Sequence, residues 1–270
     1  MKRSGVGGTS HWMLLYTYPG LVGDTTKVYK DNVQLSSARV LLIGVGGLGC
    51  PAAMAMVAGG LKHLRLVDDD VVEKHNLHRQ ILFQAADVGR AKVEAAAQHL
   101  RHLGAADVQV ARLRFLPENA LSLLEDIDLV VEGCDNVPTK FLTADACALA
   151  GVPVIHAGAV GWHGTSMAVA AQGAPCFRCI FEDIPSVEAP NCAEVGVMGP
   201  AVGQVAALQA DLALRALSGL APWGMFRTAD ARKGSWREHR VAARVDCPLC
   251  GDSRRRPTLQ RQNYLGEQHS

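Results

Sequence analysis

A glycine turn set directly behind a short apolar run constrains this chain more than any other feature. Val40-Leu41-Leu42-Ile43 leads into Gly44-Val45-Gly46-Gly47-Leu48-Gly49, and an Ala- and Met-rich stretch runs on to Gly59. The run reads as a buried parallel strand and the stretch as the helix behind the turn. Glycines let backbone N–H groups approach a phosphate, and the N-terminus of the helix that follows favours negative charge. Further along come Leu66-Val67-Asp68-Asp69-Asp70, Asn76-Leu77-His78-Arg79-Gln80, Lys92 and Cys134-Asp135-Asn136. An acid about 20 positions beyond such a turn usually binds a ribose hydroxyl, the role open to Asp68. Alone, the glycine pattern suggests a dinucleotide cofactor, and only weakly. Arg79, Lys92 and Asp135 change that reading. Two cations and a metal-type carboxylate suit a triphosphate being cleaved.

Strand and helix patterns then alternate. Residues 38–43, 64–68, 108–112, 129–131 and 153–157 read as strands, and 48–59, 90–103, 119–124 and 139–150 as helices. This grammar predicts an α/β fold with a doubly wound, Rossmann-like, mostly parallel sheet. Ligands should sit outside the carboxyl ends of its strands, where Gly46, Asp68 and Asp135 all fall. After Ala157 the pattern changes. Ser166–Ala171, Gly224–Asp230 and Trp236–Arg244 read as an antiparallel extension, and Gly199–Leu217 as a long Ala-rich helix. Between them, residues from about 182 to 197 form a loop long enough to be functional or disordered. The expected organisation is an N-terminal segment (1–33), a main domain (34–251) and a polar, frayed tail (252–270).

At 270 residues the chain can bury a sizeable core. A net charge of +1 argues against a broad nucleic-acid or membrane surface. No apolar stretch is long enough to span a bilayer, and the N-terminus lacks the apolar core of a secretory signal. A cytoplasmic location is expected. Among eight cysteines, Cys176-Phe177-Arg178-Cys179 and Cys247-Pro248-Leu249-Cys250 form a doubled C-x-x-C. In a reducing compartment that pattern implies metal before disulfides. Four thiolates suit a closed, structural zinc site; free thiols or a redox pair are the alternatives. Cys50, Cys134 and Cys147 read as small core residues.

Taken together, these motifs in this order resemble the ThiF/MoeB/HesA family, related to the ubiquitin-activating adenylation domains. Thiamine-type ThiF proteins look nearest. The resemblance runs from about Gln34 to Gly251. It rests on Gly47-Leu48-Gly49-Cys50-Pro51, Val67-Asp68-Asp69-Asp70, Asn76 to Phe83, Asn191 to Pro200, Trp236-Arg237 and the closing Cys247 to Gly251. It implies ATP and Mg²⁺ as cofactors. The reaction it implies is adenylation of the C-terminal glycine carboxylate of a small ubiquitin-like sulfur-carrier protein, followed by attack of sulfur.

On that resemblance Gly44, Gly46, Gly47 and Gly49 cradle phosphates and Asp68 holds the ribose. Asn76, Arg79 and Lys92 meet the phosphates, and Asp135 holds Mg²⁺ with Asn136 beside it. Asp70 helps bind ribose or Mg²⁺, or serves only as a cap. An Asx turn leading into the next helix is the structural alternative for Asp135. Cys192 matches a family cysteine able to form a thioester or a persulfide-derived linkage, and an inert thiol is its alternative. Family members carry an N-terminal arginine that reaches the partner subunit's ATP. Here no arginine lies between Arg3 and Arg39. Lys27 or Lys30 replaces it, or the cation is dispensable, or another subunit supplies it. The expected assembly is a homodimer, with a heterodimer as alternative, working with a carrier ending in Gly-Gly and a sulfur donor. The competing functions are activation of a ubiquitin-like modifier or peptide C-terminus, an NAD-binding oxidoreductase, and a non-catalytic partner subunit.

Overall fold

The computed structural model describes residues 33–185, 196–252 and 258–264. The N-terminal segment with Lys27 and Lys30, the middle of the long loop with Cys192, and the Arg254–Arg256 run lie outside the described residues.

The described residues build one eight-stranded sheet. A short helix α1 (Val33–Ser37) precedes β1 (Arg39–Ile43), α2 (Gly49–Ala58), β2 (His63–Val67), α3 (Lys92–His102), β3 (Asp107–Ala111), α4 (Ala120–Leu123) and β4 (Leu129–Glu132). Then come α5 (Val137–Ala150), β5 (Val154–Val160), β6 (His163–Val169), α6 (Gly199–Leu217), β7 (Met225–Asp230) and β8 (Ser235–Arg240). Strand order is β3-β2-β1-β4-β5-β6-β7-β8, so the chain crosses over between β3 and β4. The pairings from β3 through to β5 are parallel and the three beyond are antiparallel. The expected parallel sheet with an antiparallel extension is what forms.

Burial follows from the strand pattern. Residues Val40 to Ile43 are at most 1% exposed, because successive side chains of β1 enter opposite layers. Val40, Leu42, Leu64, Leu66 and Ile155 pack with α2, α3 and α6 on one face. Leu41, Ile43, Val130 and Val154 pack with α5 and the cysteine region on the other.

Several boundaries differ from the sequence reading, and so does the tail. β5 continues to Val160 because it pairs with β6 through Val160 and His163. β8 stops at Arg240, four residues early, where the chain leaves the sheet to bring Cys247 and Cys250 to Cys176 and Cys179. The tail is docked in part. Tyr264 is 4% exposed, and its hydroxyl donates to Asp145 at 2.7 Å. A polar composition hid this one aromatic anchor.

Candidate functional site

Register places the site. Ile43 is level with Val67 on one side and with Glu132 on the other. The residues that follow these three strand ends, Gly44, Asp68 and Gly133, therefore emerge side by side at the carboxyl edge. This edge adjoins the β1–β4 crossover, where ligands bind in open α/β sheets.

The glycine turn is shaped by close approach. Gly44 has φ +86°, and a Cβ there would stand 3.1 Å from Cys134 Sγ and 3.2 Å from the Cys134 nitrogen. A Cβ on Gly49 would meet the Gly44 carbonyl oxygen at 2.0 Å, so any side chain breaks the turn. The N-cap of α2, Leu48, makes no side-chain cap. The Cys50 N–H donates to the Gly46 carbonyl at 2.9 Å and Pro51 has no N–H, which leaves the Gly49 N–H for an anion.

Asp68 locks this turn. Its carboxylate accepts from the Val45 N–H at 2.7 Å and from the Asp70 N–H at 2.9 Å. Burial raises its pKa, with Lys92 and the two N–H donors opposing. Asp70, mostly exposed, accepts from Lys92 Nζ at 2.7 Å, and its carbonyl accepts from the Lys92 N–H at 3.0 Å. Lys92 is buried at the start of α3. Burial works against its charge, but Asp68 and Asp70 outweigh it and raise the lysine pKa. The ammonium is held protonated beside the turn. A lysine at a helix start would ordinarily face solvent; here two acids draw it inward.

Arg79 lies over the turn. The positions a Cβ of Gly47 would take are 3.2 Å from Arg79 Cδ and from Val202 of α6. Among the described residues its guanidinium makes no ion pair or hydrogen bond. Asn76 is buried, and its amide donates to Glu73 at 3.2 Å while its side-chain oxygen lacks a partner. Asp135 is exposed and accepts no hydrogen bond from the described residues. Asn136, exposed, caps α5 by accepting the Thr139 N–H at 2.9 Å. The helix cap anticipated at this turn is therefore Asn136, which leaves Asp135 free.

For a magnesium ion the hard oxygen donors are right. The Asp68, Asp69 and Asp70 carboxylates lie within 4.8 Å of one another. Burial first, and then Glu132, raise the Cys134 thiol well above its ordinary value.

The cysteine pairs converge. The sulfurs of Cys176, Cys179, Cys247 and Cys250 all lie within 4.8 Å of one another, with Cys176–Cys247 at 3.4 Å and Cys179–Cys250 at 3.3 Å. Burial pushes the Cys250 thiol up to about 12, whereas at Cys247 burial is outweighed by hydrogen bonds from the Cys250 and Leu249 N–H groups and the thiol is lowered. The Arg244 N–H donates to Cys179 Sγ at 3.5 Å. Four sulfurs and an N–H donor fit a closed zinc centre that joins the β6–α6 connection to the C-terminal segment. Arg178, between the first pair, makes a bidentate pair at 2.8 Å with buried Asp145 of α5.

Several neighbours escaped the sequence reading. Gln80 is buried, its amide nitrogen stands 3.8 Å from a Gly46 Cβ position, and its oxygen lacks a partner. Beneath Asp135, fully buried Glu132 meets Lys140 and His156. A polar residue closing an apolar strand, in Leu129-Val130-Val131-Glu132, was the available signal.

An α/β sheet wound in both directions, with a glycine turn, acids and cations at its crossover edge, defines a nucleotide-site class of domain. The ThiF family profile matches residues 26–249, and this chain belongs to the ThiF family. A *Xenopus laevis* protein named "Adenylyltransferase and sulfurtransferase MOCS3" is 39% identical over 236 residues, covering 86% of this chain and 52% of that protein. The chain spans about half the length of such relatives. The "SAMP-activating enzyme E1" of *Haloferax volcanii* is 36% identical over 223 residues, covering 81% and 82%. The structure of *E. coli* MccB with ATP superposes with TM-score 0.70 at 21% identity, over 81% of this chain and 68% of MccB, and shares the fold. Among the described residues no helix is long and apolar enough to cross a membrane.

Proposed function

We propose that this chain is an adenylyltransferase, activating the C-terminal glycine carboxylate of a small ubiquitin-like sulfur carrier with ATP and Mg²⁺. The observation that carries the reading is the alignment of Gly44, Asp68 and the Asp135 turn on adjacent strand ends, with Lys92 charged beside them and Arg79 unpaired among the described residues. The names of the MOCS3 and SAMP-activating relatives support it. An NAD-dependent oxidoreductase would leave Arg79, Lys92 and Asp135 without a task.

In this account the glycine turn and the α2 N-terminus hold the phosphates, and Asp68 keeps acceptor capacity for a ribose hydroxyl. Asn76 and Asn136 serve by fixing the turns on either side. Asp135, helped by Asp70, would hold Mg²⁺, which supplies charge compensation to the triphosphate when bound. The carrier's carboxylate attacks the α-phosphorus in line, the bond to the β-phosphate oxygen breaks, and pyrophosphate leaves. Arg79 and Lys92 offset the charge that develops on it. The thiolate of Cys192, outside the described residues, then attacks the acyl carbon and forms a thioester as AMP leaves, or a sulfur donor displaces AMP in its place. A Gly-Gly tail fits the narrow approach to the nucleotide because it carries no side chains. The working form is a homodimer in the cytoplasm.

The test is ATP–pyrophosphate exchange dependent on a small carrier protein ending in Gly-Gly, repeated with a ubiquitin-like modifier and a free peptide. Exchange that requires the carrier supports the reading. Exchange absent with all three acceptors, or NAD binding in place of ATP binding, sinks it.

A further inference from the structure

We propose that Glu132, clamped by Lys140, is a positioning residue for Asp135, so that a buried ion pair beneath the nucleotide site sets its magnesium affinity. This deepens the ATP reading and rests on it.

Glu132 ends β4 and is 0% exposed. A carboxylate in such a place is costly unless paired and hydrogen-bonded. An apolar residue would finish Leu129-Val130-Val131 at less cost, so the acid needs a reason. Its contacts supply one. Oε1 accepts the Cys134 N–H at 2.7 Å, two residues on, and fixes the turn leading to Asp135. Lys140, in the first turn of α5, donates to both carboxylate oxygens at 2.9 Å and to the Ala157 carbonyl at 2.5 Å. One ammonium thus joins the end of β4 and the middle of β5 to the helix that follows Asp135. His156 Nδ1 stands 3.2 Å from the other oxygen.

The turn is also held from outside. A Cβ on Gly133 would lie 3.1 Å from the Gly49 nitrogen, so this backbone presses on the glycine turn itself. Beyond Asp135, Asn136 caps α5. Asp135 is the exposed residue between two fixed points. Outer groups that orient a metal ligand commonly govern metal affinity without touching the ion.

The experiment is calorimetric titration of the full chain with ATP across a magnesium series and in EDTA, with folding checked by thermal melting. Glu132→Gln and Lys140→Met should each raise the magnesium concentration for half-maximal effect about tenfold. Both should leave ATP affinity in EDTA within about twofold of wild type. Lys140→Arg, which keeps the charge, should restore most of the loss. In an Asp135→Ala background, Glu132→Gln should add nothing. A merely structural staple would lower the melting point without this magnesium-specific, Asp135-dependent signature. Should either single variant fail to fold, paired Glu132→Gln/Lys140→Met leaves no lone buried charge and carries the same expectation. Wild-type magnesium dependence in a folded variant lacking the ion pair overturns the proposal. Wild-type protein that binds ATP without magnesium dependence, or binds none, overturns the nucleotide reading and the proposal with it.

Discussion

The Asp68 carboxylate accepts the Val45 N–H at 2.7 Å, so the end of one strand fastens the glycine turn that begins at the end of its neighbour. Its other oxygen accepts from Asp70. One side chain therefore sets both the phosphate cradle and the segment that pairs with Lys92. Asp68→Asn keeps the volume but replaces one acceptor with a donor facing an N–H group. ATP affinity should fall at least about tenfold, with about 1–3 kcal/mol of stability lost. Isothermal titration with melting curves checks both, and unchanged affinity in a folded variant removes Asp68 from the site.

Gly49 and Gly203 make a matched contrast. A methyl at Gly49 meets the Gly44 oxygen at 2.0 Å, whereas one at Gly203, inside α6, meets nothing within 4 Å. Gly49→Ala should abolish ATP binding and lower the melting temperature, or prevent folding. Gly203→Ala should stabilise by about 0.5–1 kcal/mol through the unfolded chain. An ATP-binding, wild-type-like Gly49→Ala protein would show that the turn tolerates what its geometry forbids.

The buried cluster below the site gives the fold an acid limit. Glu132 has its pKa lowered: burial opposes ionisation, but Lys140 and His156 overcome it. His156 has its pKa lowered by burial, against the pull of Glu132. The unfolded histidine takes its proton near 6.5, so stability starts to fall as pH drops below that value. Glu132 adds its loss below its ordinary 4.5, and the loss is complete once pH passes the depressed folded value. Urea melts from pH 8 to 4 should show stability flat at the alkaline end and declining below about pH 6.5. His156→Gln should remove the upper part of that decline. A pH-independent midpoint across the range counts against the cluster.

The four-sulfur centre should be structural. Zinc measured by mass spectrometry should be one per chain, and Cys247→Ser should lose it. Because the ion ties two distant segments beneath α5, its loss should lower the melting temperature by on the order of 10 °C. Full occupancy in the serine variant, or an unchanged melt in a metal-free one, would separate these cysteines from zinc.

How much of this could be read beforehand depended on whether the signal was local. Val40–Ile43, the glycine turn and α6 announce themselves through runs and spacing, and α6 matches to the residue. The convergence of Asp68 and Asp135 on one edge followed from strand alternation alone. The Glu132–Lys140–His156 cluster was opaque because its members belong to β4, α5 and β5, and only the register brings them together. Tyr264 was hidden for the same reason: its partner Asp145 is far away in the chain. Asn76 shows a different limit. Its place in the motif was plain, but not that it would be buried against Glu73.

Arg79 and Lys92 are both assigned to pyrophosphate departure, yet their surroundings predict different costs of removal. The stem of Arg79 lies over Gly47, and its guanidinium has no charged partner among the described residues. Its guanidinium is available to ligand at no expense to the fold. Arg79→Ala should melt within about 2 °C of wild type while pyrophosphate exchange falls by about 10³. Lys92 is buried between Asp68 and Asp70, so Lys92→Met removes the charge that holds two acids near the turn. It should lose about 1–3 kcal/mol of stability as well as exchange, with ATP affinity weakened more than in Arg79→Ala. Equal stability losses in the two variants, or exchange surviving in Arg79→Ala, would contradict the division of labour between a free cation and an embedded one.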